Sequence, residues 1–177
     1  VVVDTAREIY FQYGTATGAY SGQTAVFTTT ANEPIKVAID GLTPHTKYYY
    51  RMVHRAVGGT PWTYRTEHSF YTQRPPGSTF TFTISSDSHV NIMLGQEATW
   101  QASLSNIANE HPDFHLDLGD TFAVDNVTST DAARQAYLFQ RSSTYFGGIG
   151  HSIPIFLAIG NHEQEEGWHI SDPTGAV

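Results

Sequence analysis

The sequence predicts two domains in series: an antiparallel all-β sandwich over residues 1–73 and an α/β layered domain over residues 79–177, joined by a short stiff linker at 74–78. Three observations carry that division. Residues 1–73 are rich in Thr, Tyr and Val and fall into short runs separated by turn residues, the pattern of antiparallel strands. The paired prolines of Gln73-Arg74-Pro75-Pro76-Gly77-Ser78 stiffen the chain and offer no backbone donor to a sheet. Beyond them strand-like and helix-like segments alternate, the order expected of a layered α/β fold.

The elements follow in order. In the first domain Glu8–Gly14, Thr24–Thr29, Ile35–Ile39, Tyr48–Val53 and Ser69–Thr72 read as strands. In the second, Phe80–Ser85 reads as a strand; Trp100, Leu104 and Ile107 then recur at helical spacing until Pro112 stops the helix. Phe114, Leu116 and Leu118 mark a second strand. Residues 130–146 read as one helix with Ala133, Tyr137, Phe139 and Gln140 on a less regular face, and Ile153–Ile159 as a third strand.

Composition bounds the chemistry. The 177 residues are 40% hydrophobic and 13% aromatic, which suits packed cores, and no apolar run is long enough to span a bilayer. A formal net charge of −8 repels a nucleic-acid backbone, so no nucleic-acid partner is expected. There is no cysteine, so disulfides and thiolate metal sites are excluded and any metal must be held by His, Asp, Glu or Asn. Asn126-Val127-Thr128 fits the glycosylation sequon. The chain opens on Val1 without a Met and ends without a closing element; both ends read as cut, so the missing signal peptide says little about localisation.

Each strand of the second domain ends in polar residues: Ser86-Asp87-Ser88-His89, then Leu118-Gly119-Asp120, then Ile159-Gly160-Asn161-His162-Glu163. In open α/β sheets ligands bind beyond the carboxyl ends of strands. Singly, Asp87 and His89 read more readily as caps of the following segment, and Gly119-Asp120 as an ordinary turn. Asn161 and His162 after an apolar strand need partners to offset desolvation. Taken together the ends gather oxygen and imidazole donors suited to Zn, Mn or Fe.

This order of motifs resembles the calcineurin-like metallophosphoesterase superfamily, and the segment covered is the N-terminal half of its catalytic domain. The first domain resembles the fibronectin type III-like sandwich, here incomplete, that precedes the catalytic domain in purple-acid-phosphatase-type proteins. The segment Gly41-Leu42-Thr43-Pro44-His45-Thr46-Lys47-Tyr48 resembles the tyrosine corner of such sandwiches, in which a Tyr hydroxyl bonds back to the backbone. The resemblance implies metal-dependent hydrolysis of phosphate esters at a centre of two divalent or trivalent ions, with metal-activated water as nucleophile. Asp87 and His89 would bind one metal, Asp120 would bridge both, and Asn161 would bind the second through its side-chain oxygen. His162 would act as acid–base catalyst beside the leaving group, and Glu163 would orient its neighbours. The implied partner is a phosphate-ester substrate, and the architecture points to a secreted, periplasmic or extracellular setting.

The chain departs from the purple acid phosphatases where their iron-binding Tyr should follow the bridging Asp: Ala123 stands there, while His89 is a residue they usually lack. No Arg follows Asp120 in Thr121-Phe122-Ala123-Val124. The family's later ligands, a lone His and a Gly-His-x-His, have no counterpart: His169 reads as a loop residue, and nothing in the spacing of His111, His115 or His151 favours them. His115 alternates with apolar Phe114 and Leu116 and is expected to pack or bond locally; His45, His54 and His68 belong to the first domain. The isolated chain is therefore expected to bind metal poorly and to be inactive. The alternative is a binding or adhesion module beside a degenerate catalytic domain.

Overall fold

A computed structural model of the chain describes residues 1–90, 95–124, 127 and 129–163. The chain forms two compact units, Val1–Ser78 and Thr79–Val177.

The first unit is built on a long antiparallel pair, β1 (Arg7–Gly14) and β4 (Lys47–Ala56), paired from Arg7↔Ala56 to Gly14↔Tyr49. β2 (Gly22–Gln23) and β3 (Phe27–Thr28) pair with β1, and β5 (Thr63–Tyr64) and β6 (His68–Tyr71) pair with β4. Ile9, Phe11, Tyr48 and Val53 are its buried hydrophobic residues. Thr43 N–H donates to the Tyr48 hydroxyl at 3.1 Å, so Tyr48 ties its strand to the turn before it.

Three expectations change here. All the strands of this unit lie in one six-stranded sheet, rather than in the two layers of a sandwich. Thr24–Thr29 is not continuous: Phe11 N–H donates to the Thr24 hydroxyl, and Arg7 N–H to the Thr29 hydroxyl, so side chains replace ladder carbonyls between and beyond β2 and β3. Ile35–Ile39 forms no strand; its pairing with the chain start is confined to reciprocal bonds between Val1 and Ile35 and one from Asn32 N–H to Val3. Pro34 has no donor with which to extend it.

In the second unit β7 (Phe82–Ser85), β8 (Phe114–Asp117) and β9 (Ile155–Leu157) form a parallel sheet in that order. Between them lie α1 (Glu97–Asn109), α2 (Thr130–Gln140) and α3 (Phe146–Gly150). α1 buries Trp100, Leu104 and Ile107, which pack with Val90, Tyr145, Phe146, Ile149 and Ile153. The helix expected over 130–146 is broken. Gly147 N–H turns back to Ser142 C=O at 3.0 Å, and a Cβ on Gly147 would lie 2.5 Å from Arg141 O. The chain folds tightly on itself there and restarts as α3. Among the described residues no helix is long and apolar enough to cross a membrane. His169 and most of the sequon lie outside the described residues.

Candidate metal centre

The parallel register sets the three strand ends side by side: Ser85 pairs with Asp117, and Asp117 with Leu157. The loops beyond are stitched backbone to backbone. Asp87, His89 and Val90 N–H groups donate to Gly119, Asp120 and Thr121 carbonyls at 3.0, 3.1 and 2.9 Å. Val124 N–H donates to His162 C=O at 2.8 Å. Asp87, His89 and Asp120 all hold positive φ (55°, 46° and 52°). Non-glycine residues in that region are costly and concentrate where a site requires them.

Glycine permits the closest approach. A Cβ on Gly119, itself at φ 95°, would stand 2.3 Å from Gly160 N, and a Cβ on Gly160 would stand 2.1 Å from Asp120 Oδ1. The two loops touch only because neither glycine has a side chain.

His89, Asp120 and His162 offer ligand atoms that all lie within 4.8 Å of one another. The His89 and His162 rings meet edge to face, centroids 5.4 Å apart. His89 Nε2 lies 3.9 Å from Asp120 Oδ2 and 3.8 Å from Asp87 Oδ1, is buried, and has no hydrogen-bond partner. Ligand atoms gathered this closely could hold a metal ion, which would satisfy the orphaned nitrogen. Asp120 is held at both ends: its Oδ1 accepts from His162 N–H at 3.0 Å, and its own N–H donates to Glu163 Oε2 at 2.8 Å.

Asp87 stands apart from the group of three; its side chain is 60% exposed and accepts from the Ser86 hydroxyl. Asn161 is half-buried in the turn that carries His162. Glu163 is buried and accepts N–H bonds from Asp120, Thr121, Phe122 and Gly160, at 2.8, 2.6, 3.3 and 2.8 Å. Tyr137 Oη donates to the Glu163 carbonyl at 3.1 Å; burial first, and then the Glu163 charge, push its pKa up and keep it a donor.

Sequence reasoning passed over Asp117. It is 1% exposed and accepts from Ser85 Oγ, Thr121 Oγ1 and Gly119 N–H at 2.7, 2.7 and 3.1 Å. The only signal was a carboxylate inside an apolar strand, which needs partners to be buried at all.

No curated protein matches the chain. The family model for calcineurin-like phosphoesterase matches residues 80–175, more than half of the chain and all three strand-end motifs. The chain therefore belongs to the calcineurin-like phosphoesterases, whose general chemistry is metal-dependent hydrolysis of phosphate esters.

Proposed function

We propose that the second unit supplies the front half of a two-metal phosphoesterase centre. The observation that carries this is the buried, unpartnered Nε2 of His89 facing the carboxylate of Asp120. His89 and Asp120 would hold cations, with Asp120 shared between two and Asn161 and Asp87 completing the oxygen donors. A bound pair of cations supplies charge neutralisation to the phosphate and activation of water. His162 would sit beside the leaving oxygen and move a proton there. Its backbone bond to Asp120 Oδ1 fixes it against the carboxylate it serves. Glu163 would set the strand-end loops through its four N–H bonds rather than touch the ion.

The family match and the group of three donors support this reading of the site. Asp87, His89, Asp120 and Asn161 are four donors, fewer than two such ions take, so the 177-residue chain alone is expected to hold metal loosely and to turn over little substrate. We also read the first unit as the sheet of a fibronectin type III-like domain, supported by the Thr43–Tyr48 bond, and the protein as secreted, periplasmic or extracellular.

The test is hydrolysis of a chromogenic phosphate monoester and a diester by the complete gene product, with Mn²⁺ or Zn²⁺ added. Metal-dependent turnover is expected. Asp120→Ala should lower it by more than the roughly 10–100-fold that loss of an outer partner costs. Unchanged turnover in that variant would sink the proposal.

A further inference from the structure

The helix-covered face of the parallel sheet carries polar groups where a hydrophobic layer would be ordinary. Thr83, Ser85, His115 and Asp117 lie on it, with His115 and Asp117 0% and 1% exposed. Phe146 of α3 packs toward His115, ring centroids 6.3 Å apart.

The hydrogen bonds of this group have a direction. Ser85 has one hydroxyl proton and gives it to Asp117 Oδ2 at 2.7 Å. Its contact with His115 Nε2 at 3.0 Å must then be donated by the ring. Burial holds the imidazole neutral, so Nδ1 is the acceptor and takes the Thr83 hydroxyl proton at 2.9 Å. The bonds run Thr83 to His115 to Ser85 to Asp117. Ser, His and Asp together invite comparison with a nucleophilic triad, but there the imidazole stands between the other two. Here the serine does, and the histidine is sealed from solvent.

What the row of donors reaches is the turn that carries the shared metal ligand. Asp117 Oδ1 accepts from Gly119 N–H and from Thr121 Oγ1, the residues on either side of Asp120. On the other side Glu163 accepts the N–H groups of Asp120 and Thr121. The Gly119-Asp120-Thr121 turn, with positive φ at its first two residues, is thus clamped between two buried carboxylates.

We propose that Asp117 is a positioning residue of the metal centre, which together with Thr121 fixes the backbone of the turn and so the aim of the Asp120 carboxylate. The proposal rests on the metal reading given above. Asp117 touches neither ion nor substrate. Ser85 and His115 act behind it by saturating its second oxygen, so that Oδ1 is left for the turn.

The experiment is Mn²⁺ titration of the complete gene product, with bound ion read from the loss of the free-Mn²⁺ electron paramagnetic resonance signal and folding followed by circular dichroism. Asp117→Ala and Thr121→Val are each expected to weaken binding by about 10–100-fold. Thr121→Ser, which keeps the hydroxyl, is expected to restore it, a rescue that loss of packing alone would not give. If Asp117→Ala does not fold, the Thr121 pair decides. A folded Asp117→Ala, or Thr121→Val, with unchanged affinity overturns the proposal, as does Thr121→Ser binding no better than Thr121→Val. Asp120→Ala separates the two ideas. If it binds Mn²⁺ as the unaltered chain does, or if the unaltered chain binds none, the metal reading itself fails and this proposal with it.

Discussion

Asp120 stands at φ 52°, a conformation that costs a non-glycine residue on the order of 1–3 kcal/mol and survives only where its surroundings enforce it. The enforcement is traceable to single atoms: Glu163 on its N–H, His162 N–H on its Oδ1, and the missing Cβ of Gly160 where that oxygen sits. Gly160→Ala tests the last of these. The new methyl would meet Asp120 Oδ1 at 2.1 Å and Asp120 N at 2.5 Å, and the backbone atom cannot swing aside. We expect a loss of about 1–3 kcal/mol in urea unfolding, the usual cost of overpacking, together with weaker Mn²⁺ binding. A variant matching the unaltered chain in both would show that the loops have room the structure does not give them.

β8 joins two environments through its period of two. Phe114 and Leu116 face one side; His115 and Asp117 face the helices on the other. His115 carries a pH consequence. Burial, opposed in part by the neighbouring Asp117 charge, pulls its pKa below the ordinary value near 6.5. The unfolded chain then binds a proton that the folded chain refuses, and stability falls with acidification, from about pH 6.5 down to the lowered folded pKa. Urea midpoints measured from pH 7.5 to pH 5.5 should decline, and in His115→Gln that part of the decline should vanish. Equal slopes in the two proteins would mean that His115 is charged in the fold. The broken helix after α2 is also an effect at this scale. Residues 130–146 have helical spacing, but Gly147 lets the chain approach Arg141 O, and that contact is invisible to periodicity.

Among the described residues of the second unit, several large apolar side chains on the sheet face away from the helices are exposed. Phe80, Ile84 and Phe156 are 59%, 54% and 58% exposed, and Phe82 stacks on Phe114 with centroids 5.3 Å apart. Parallel sheets are ordinarily covered on both faces. The 177-residue chain is therefore expected to bind an environment-sensitive apolar dye while folded, and Phe156→Lys should reduce that signal without loss of circular dichroism. Absence of dye binding would mean that the face is covered. At the same scale the sequence read well where order and spacing suffice. The succession β7, α1, β8, α2, β9 followed from strand and helix periods, and the buried Trp100, Leu104 and Ile107 from their helical spacing. The first unit read less well. Its edge pieces, β2, β3 and β5, are two residues each, and side-chain hydroxyls of Thr24 and Thr29 substitute for ladder carbonyls, which no alternation pattern records.

The sequence by itself determined the chemistry: no thiol, oxygen and imidazole donors at three successive strand ends, and an order of motifs that identifies the family. Those are properties of residue type and spacing, which a chain carries unfolded. Only the tertiary structure decided which donors converge. It brought His89, Asp120 and His162 together, left Asp87 exposed beside them, and buried Asp117 and Glu163 in hydrogen bonds to the Asp120 turn. The physical reason is that burial and backbone bonding between loops distant in sequence set where each side chain points. Neither is encoded in any one segment: three of the four N–H groups that the Glu163 carboxylate accepts lie some 40 residues earlier, Asp120 being 43 positions away.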